Sequence, residues 1–211
     1  MLFIFDWDGT LSDSAGKIVR CMQRAADEVG LLVPDAEVVK NIIGLGLPEA
    51  VEILFPDTGA DVTEQVRISY ARHFLNDDEK DSPFFPGVLE TLDTLREQGH
   101  QLAVATGKSR RGLDRIFQSL NLENVFHGSR CADETASKPH PLMLHQLLDE
   151  FSVPAHKCVM VGDTEYDMDM ARQALMPRIA VSYGAHHIDR LRPFEPELCL
   201  DHFPHLLNWR A

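Results

Sequence analysis

Residues 2–11 read LFIFDWDGTL, and this stretch decides the predicted fold. The four apolar residues 2–5 run without interruption up to Asp6, which is typical of a central parallel strand buried on both faces. Asp8 follows closely, and Gly9 permits the bend that lets both carboxylates face one crevice. A carboxylate can attack phosphorus, and a second acid can protonate the leaving oxygen. A capped turn would use the same residue types, because Asp and Thr are common in turns.

Strand and helix patterns alternate through most of the remaining chain. Apolar runs that end in polar or glycine-containing turns occur at 101–106, 157–163, 178–184 and 197–200. Helical patterns lie between them, at 87–98, 109–120, 141–151 and 164–175. This alternation predicts an α/β fold with a doubly wound parallel sheet, a Rossmann-like core, covered by helices.

The stretch from 13 to 83 has a different pattern, because it contains consecutive helical segments and no convincing strand. Ser14 or Asp13 is placed to cap a helix that Gly30 would end. We therefore predict a small inserted α-helical bundle, the cap domain, over residues 13–83. The core domain is predicted to consist of residues 1–12 and 84–211.

Two later strand ends carry groups that suit a phosphate. Thr106-Gly107 offers a hydroxyl and free backbone N–H groups where a helix begins, and a helix N-terminus attracts anions. A plain helix cap is the alternative for Thr106. Lys138 precedes another helix and is able to give a positive charge to a phosphate or to Asp6. A solvated surface lysine is the alternative there.

A third strand end carries two carboxylates. Asp163 and Asp167 are four residues apart at the start of a predicted helix, so they share one face of it. With Asp6 they would form a hard oxygen site suited to Mg²⁺. Favourable acidic capping of the helix N-terminus explains the same residues without a metal.

Composition narrows the class of protein. The formal net charge is −13, and no run of Lys and Arg interleaves with aromatics, which counts against nucleic-acid binding. No stretch approaches the roughly 20 apolar residues of a membrane span, and the first apolar run is too short for a signal peptide. We expect a cytoplasmic protein, a monomer or homodimer. The four scattered cysteines are predicted to be buried free thiols: Cys21, Cys131, Cys158 and Cys199.

The motifs D-x-D-G-T-L, T-G, K-P and G-D-T-x-x-D occur in this order, each at a predicted strand end. Together they resemble the haloacid dehalogenase superfamily of phosphohydrolases, in the branch with a helical cap between the first and second motifs. FDWDGTLSDS and MVGDTEYDMDMARQA are similar to phosphoglycolate phosphatases in particular. The resemblance implies Mg²⁺-dependent hydrolysis of a small phosphorylated metabolite through a phospho-aspartyl intermediate.

The resemblance also implies a role for each acidic motif residue. Asp6 would be the nucleophile and a Mg²⁺ ligand. Asp8 would be the general acid and base, with its backbone carbonyl on the metal. Asp163 would bind the metal directly, and Asp167 would act on a metal-bound water or on Lys138.

The remaining motif residues would bind phosphate or read the substrate. Thr106 and the Gly107 amide would bind the phosphate, and Lys138 would hold the phosphate and the nucleophile together. In this branch a cap turn reaches over the active site, and Gly44-Leu45-Gly46 is the candidate here. A simple connection between two helices is the alternative for that turn.

Other functions of the same or a similar chemistry remain open at this point. A phosphomutase of the same fold, similar to beta-phosphoglucomutase, would return the phosphoryl group to a sugar, and a pyrophosphatase would cleave a different bond. A receiver-type signalling module also phosphorylates an aspartate with Mg²⁺. Such modules are shorter and lack a cap, so the Asp6 and Asp8 pair and the insertion count against that class.

Overall fold

A six-stranded, wholly parallel sheet forms the centre of the computed structural model, which describes residues 1–76 and 82–210. Its strands are β1 (Leu2–Phe5), β2 (Gln101–Thr106), β3 (Gly128–Cys131), β4 (Cys158–Gly162), β5 (Arg178–Val181) and β6 (Leu198–Leu200). The strand order is β3-β2-β1-β4-β5-β6, with β1 hydrogen-bonded to both β2 and β4. The strand order therefore reverses direction beside β1, where ligands bind in open α/β sheets.

Helices occupy the connections between strands. Four helices follow β1, and we call them the cap helices: α1 (Ala15–Val29), α2 (Ala36–Lys40), α3 (Leu47–Leu54) and α4 (Ala60–Asn76). The others are α5 (Val88–Glu97), α6 (Arg110–Ser119), α7 (Leu142–Phe151), α8 (Glu165–Gln173) and α9 (Ile188–Leu191). Short 3₁₀ helices occur at Ala132–Glu134, Ala155–Lys157, Arg192–Phe194 and Phe203–Asn208. Over the described ranges, no helix combines the length and the apolar character that crossing a membrane requires.

The alternating side chains of β1 explain its central place. Leu2 and Ile4 pack with α7 residues on one face of the sheet, while Phe3 and Phe5 pack into the larger core on the other face. All four side chains are buried. Full burial of such a side chain stabilises the fold by about 1.5–3 kcal/mol, so the uninterrupted apolar run belongs at the centre of the sheet.

The cap helices have a core of their own and join the sheet through two adjacent linkers. Residues from α1, α2, α3 and α4 share one apolar cluster. The outgoing and returning chains pair where they pass each other. The Asp13 N–H donates to the Pro83 carbonyl at 2.8 Å, and the Phe85 N–H donates to the Leu11 carbonyl at 3.0 Å. We call this paired crossing the linker ribbon.

The predicted α/β fold class with a helical insertion is confirmed, with two local corrections. The edge strand β3 was not predicted, because its sequence GSRC has no apolar run and much of it is only partly buried. Cys199 is exposed, contrary to the prediction of four buried thiols, since it lies in the short edge strand β6. The domain assignment, whose cap range of 13–83 includes residues 77–81 outside the described part of the chain, stays a prediction, as do the cytoplasmic location and the oligomeric state.

Candidate active site

Three neighbouring strands deliver the motif residues to one edge of the sheet. Asp6 follows β1, Thr106 is the last residue of β2, and Asp163 follows β4. Because β1 is hydrogen-bonded to both other strands, these three positions are adjacent. The residues from distant parts of the sequence thus meet where the strand order reverses.

A buried lysine joins two of the carboxylates. Lys138 Nζ lies 2.5 Å from Asp6 Oδ1 and 2.6 Å from Asp167 Oδ1. The lysine is only 1% exposed, and both carboxylates are equally buried. A charge withdrawn from water in this way persists only when it is paired, so the alternative of a solvated surface lysine is excluded.

Asp163 and Asp167 are fixed by hydrogen bonds from neighbouring loops. Asp163 accepts from the Thr10 hydroxyl at 2.8 Å and from the Ala185 N–H at 2.7 Å. Asp167 accepts from the Thr164 hydroxyl at 2.7 Å, within a capping box at the start of α8. The predicted helix-capping alternative is therefore partly correct, because Asp167 caps the helix with Oδ2 while Oδ1 contacts Lys138.

Gly9 makes the close approach of Asp163 possible. Its φ of 88° lies in the left-handed region, and a Cβ atom there would stand 2.2 Å from Asp163 Oδ2. A side chain at this position would be strained and would also collide with the carboxylate. The bend expected after β1 thus brings the first motif against the fourth.

The three carboxylates form an arrangement that fits a divalent cation. One oxygen from each of Asp6, Asp163 and Asp167 lies within 4.8 Å of the others, and all three side chains are buried. Asp6 Oδ2 is buried without a hydrogen-bond partner. Hard carboxylate oxygens are the ligands that Mg²⁺ prefers, and an unpaired buried oxygen is the atom that an ion would satisfy. The Asp8 carboxylate does not join this cluster.

Burial shifts the pKa values of the charged groups in this cluster. It raises the pKa of Asp6 well above its ordinary value, although the Lys138 ammonium opposes the rise. Burial, reinforced by the charge of Asp167, raises the pKa of Asp163 to about 7. Burial would lower the pKa of Lys138, but its ion pairs with Asp167 and Asp6 outweigh burial and raise it. Positive charge at this point would favour the ionised carboxylates.

Asp8 faces a different set of partners. Its Oδ1 accepts a hydrogen bond from the Ser14 hydroxyl at 2.5 Å and lies 2.9 Å from Lys108 Nζ. Both contacts fall on the same oxygen, and over the described ranges no hydrogen bond reaches Oδ2. The side chain lines a cavity between the cap helices and α6. One oxygen is thus held while the other is free to carry a proton.

The predicted phosphate-binding turn lies directly under the predicted cap turn. A Cβ atom on Gly107 would stand 2.3 Å from the Leu45 carbonyl and 2.7 Å from the Gly44 carbonyl. The N–H of Gly46 donates to Ser137 Oγ at 2.8 Å. The turn at 44–46 therefore does more than connect α2 and α3, since it contacts two of the core motifs. Thr106 is buried and accepts from the Lys108 N–H at 3.2 Å.

The cavity above these turns has a volume of about 530 Å³. It brings together Asp8, Gly107, Gly44 and Leu45 from the predicted set, whereas Gly46 and Thr106 do not line it. The carboxylate cluster and Lys138 lie beneath it, away from its surface. The arrangement separates a buried, charged reaction centre from a larger chamber that could hold the rest of a substrate.

Sequence reasoning missed several residues of this chamber. Lys17, Tyr70 and Phe74 come from the cap helices and line the cavity. Ser14 directly precedes α1, and its hydroxyl donates to Asp8 instead of capping the helix as the sequence suggested. Ser14 and Lys17 are three residues apart, so they lie on the same face at the start of α1. That spacing could have been read from the sequence as a shared helix face. The sequence does not show, however, which other part of the protein this face packs against.

Comparison with known proteins agrees with this geometry. The family described as haloacid dehalogenase-like hydrolase matches residues 3–181. A protein of Dickeya dadantii named "Probable phosphatase IndB" is 36% identical over 212 residues, which cover 98% of this chain and 92% of that protein. Phosphoglycolate phosphatase of Aliivibrio fischeri is 29% identical over 214 residues, which cover 98% and 94%.

A solved structure supports the fold independently. The Bacteroides fragilis protein named "Putative haloacid dehalogenase-like hydrolase" superposes with a TM-score of 0.90 at 24% identity. The superposition covers 97% of this chain and 98% of that one. Since it spans nearly all of both chains, the cap helices and the sheet have counterparts there.

Proposed function

The chain belongs to the family of haloacid dehalogenase-like hydrolases, and we propose that it is a phosphatase that hydrolyses a small phosphate monoester through Asp6. One observation carries the proposal. Lys138 holds Asp6 by Oδ1 at 2.5 Å, while Asp6 Oδ2 is left buried and unpaired beside Asp163 and Asp167. A carboxylate in this state suits metal binding by one oxygen and attack on phosphorus by the other, rather than structural support.

The first half of the reaction transfers the phosphoryl group to the enzyme. Asp6 attacks phosphorus, the bond between phosphorus and the leaving oxygen breaks, and Asp8 gives its proton to that oxygen. An acyl phosphate on Asp6 and a free alcohol result. We propose that Lys138 and the N–H of Gly107 offset charge on the phosphoryl oxygens, with Thr106 as the hydroxyl partner.

The second half regenerates the enzyme. A water attacks the phosphorus of the acyl phosphate, Asp8 accepts its proton, and the bond between phosphorus and Asp6 breaks to release inorganic phosphate. Ser14 and Lys108 hold Asp8 by one oxygen in both steps. The same carboxyl therefore acts as acid and then as base.

Mg²⁺ is the proposed cofactor, held by Asp6, Asp163 and Asp167 with the Asp8 backbone carbonyl. When bound, it would offset the repulsion between a dianionic phosphate and the carboxylates. The hard oxygen donor set and the unpaired Asp6 Oδ2 support this assignment.

We propose phosphoglycolate phosphatase-like activity, with 2-phosphoglycolate as the first substrate to test. The support is the name of the Aliivibrio fischeri relative, which aligns over nearly the whole chain. The cap turn at 44–46 is proposed to help select the substrate, because it covers Gly107 and lines the cavity with Gly44 and Leu45.

The test measures phosphate release from 2-phosphoglycolate and a panel of phosphorylated metabolites, with Mg²⁺ and with chelator. Sugar phosphates in the panel are also analysed for isomerised product, which would indicate a mutase instead. Wild type should release phosphate only with Mg²⁺, and Asp6→Asn should release none. Activity in Asp6→Asn above about a hundredth of wild type would refute the role of Asp6 as nucleophile.

A further inference from the structure

The cavity is larger and more apolar than a two-carbon leaving group requires. Its volume of about 530 Å³ falls in the range of roughly 300–1,000 Å³ that holds whole small-molecule ligands. Much of its lining is apolar and comes from the cap helices, including Ile18, Met22, Leu47, Tyr70 and Phe74. Such an apolar lining favours binding of a leaving group that is itself largely apolar.

One charged side chain interrupts this apolar lining on the cap side. Lys17 of α1 is only 9% exposed and lines the cavity. Its Nζ lies 4.7 Å from the centroid of the Phe74 ring. Across residues 1–76 and 82–210, no carboxylate lies within ion-pair distance of it. Burying an ammonium group against a ring alone is costly, so the position suits an anion that arrives with the substrate.

Three more cationic side chains line the cavity. Lys108, Arg111 and Arg115 also line it, and Asp8 is the acidic residue among the lining residues described. Asp8 is already paired with Lys108, which leaves an excess of positive charge. The chamber therefore attracts an anionic leaving group.

Lys17 and the ion pair at Asp8 share one aromatic neighbour, Phe74. Lys108 Nζ lies 4.9 Å from the centroid of the same Phe74 ring and 2.9 Å from Asp8 Oδ1. Lys17 and the Lys108–Asp8 pair thus lie against the same ring, and all three side chains also line one small pocket of about 30 Å³. A leaving group that starts at Asp8 and lies along Phe74 would therefore be within reach of Lys17.

We propose that Lys17 determines specificity by binding a carboxylate of the leaving group, and that the apolar part of the cavity accepts the rest of that group. The substrate class is a phosphate monoester of a hydroxy acid, extending to acids larger than glycolate. The inference rests on the proposed phosphatase function.

Matched substrate pairs test the proposal. Ethyl phosphate and 2-phosphoglycolate differ by a carboxylate on a two-carbon group, and phenyl phosphate and 4-carboxyphenyl phosphate differ by a carboxylate on a ring. In wild type, the carboxylate should raise kcat/KM at least tenfold in the aryl pair, and by at least as much as in the two-carbon pair. A gain confined to the two-carbon pair would overturn the inference about size.

Substitution of the lysine separates binding of the carboxylate from general catalysis. Lys17→Met keeps the apolar stem and should lower kcat/KM for 4-carboxyphenyl phosphate at least tenfold, the loss expected for a charge-assisted hydrogen bond. Phenyl phosphate should change less than twofold, and Lys17→Arg should retain most of the preference. The control Lys40→Met removes an exposed cap lysine and should behave as wild type. A carboxylate preference that survives Lys17→Met would overturn the proposal.

A binding measurement keeps the two proposals distinguishable. Calorimetry would compare 4-carboxyphenyl phosphate binding to Asp6→Asn and to Asp6→Asn/Lys17→Met. At least tenfold weaker binding to the double variant supports the role of Lys17 even if wild type lacks turnover, in which case the phosphatase function alone fails. Equal binding to both variants would overturn the role of Lys17.

Discussion

Mg²⁺ should stabilise the folded protein, and this effect can be measured without any substrate. The carboxylates of Asp6, Asp163 and Asp167 are buried together, and within the described part of the chain Lys138 forms ion pairs with two of them, Asp6 and Asp167. Each uncompensated buried charge costs several kcal/mol. A divalent cation that binds only the folded state would remove much of this cost.

The size of the effect follows from mass action. At a Mg²⁺ concentration a hundredfold above its dissociation constant, the stabilisation is about 2.7 kcal/mol. For a chain of 211 residues, each kcal/mol shifts the Tm by roughly 2–4 °C, so the expected rise is about 5–10 °C. The rise in Tm caused by Mg²⁺ should be larger at pH 8 than at pH 6. Burial raises the pKa of Asp163 to about 7, so at pH 6 a proton on its carboxylate competes with the metal.

Thermal unfolding with Mg²⁺ or with chelator, at matched ionic strength, provides the assay. Asp163→Asn removes one ligand and should lose most of the rise. Asp169→Asn is the matched control, because Asp169 lies on α8, the helix that follows Asp163, but pairs with Arg172 outside the cluster. An equal Tm with and without Mg²⁺ in wild type, or an unchanged rise in Asp163→Asn, would refute the metal site.

Three further predictions concern catalysis, the cap turn and pH. Asp6→Asn should lower kcat more than a hundredfold, about 2.7 kcal/mol of barrier, while circular dichroism stays that of wild type; greater residual activity would indicate direct attack by water. Gly46→Val should lower kcat/KM for 2-phosphoglycolate far more than for phenyl phosphate. A Cβ atom at this position would lie 3.1 Å from Ala132 Cβ and would disturb the packing of the cap turn against the core. Equal losses of kcat/KM on both substrates would contradict this reasoning. In chelator, the Tm should fall as the pH rises from about 5 to 7. The raised pKa of Asp163 makes the folded state bind one proton more than the unfolded state in this window, and this proton is lost as the pH rises. Asp163→Asn should show a smaller fall in Tm, and an identical pH dependence would exclude Asp163 as the source of the fall.

The catalytic motifs could be predicted because they depend on short local patterns. An apolar run predicts a buried strand, and parallel strands end at one edge, so Asp6, Thr106 and Asp163 were expected together. Lys138 was harder, since a lone lysine before a helix is usually solvated. Its burial depends on two carboxylates that arrive from other strand ends.

The substrate chamber could not be predicted in the same way. Whether Lys17 faces solvent or the core depends on how α1 is placed over the sheet, and no local pattern specifies that placement. Gly46 shows a related limit. Its φ of −63° is open to any residue, so its importance comes from the nearby Ala132 side chain rather than from backbone freedom.

The linker ribbon has a consequence for how such proteins diversify. Ser12 and Phe84 pair as an isolated antiparallel bridge, so the chain leaves and re-enters the sheet domain at nearly the same point. A segment whose two ends are neighbours can be lengthened, shortened or exchanged without moving the strands on either side of it, because the cost of closing a loop grows only slowly with its length. The cap helices can therefore be exchanged as one unit without a change in the strands that carry the motif residues, and we expect the proposed substrate preference to diversify in this way.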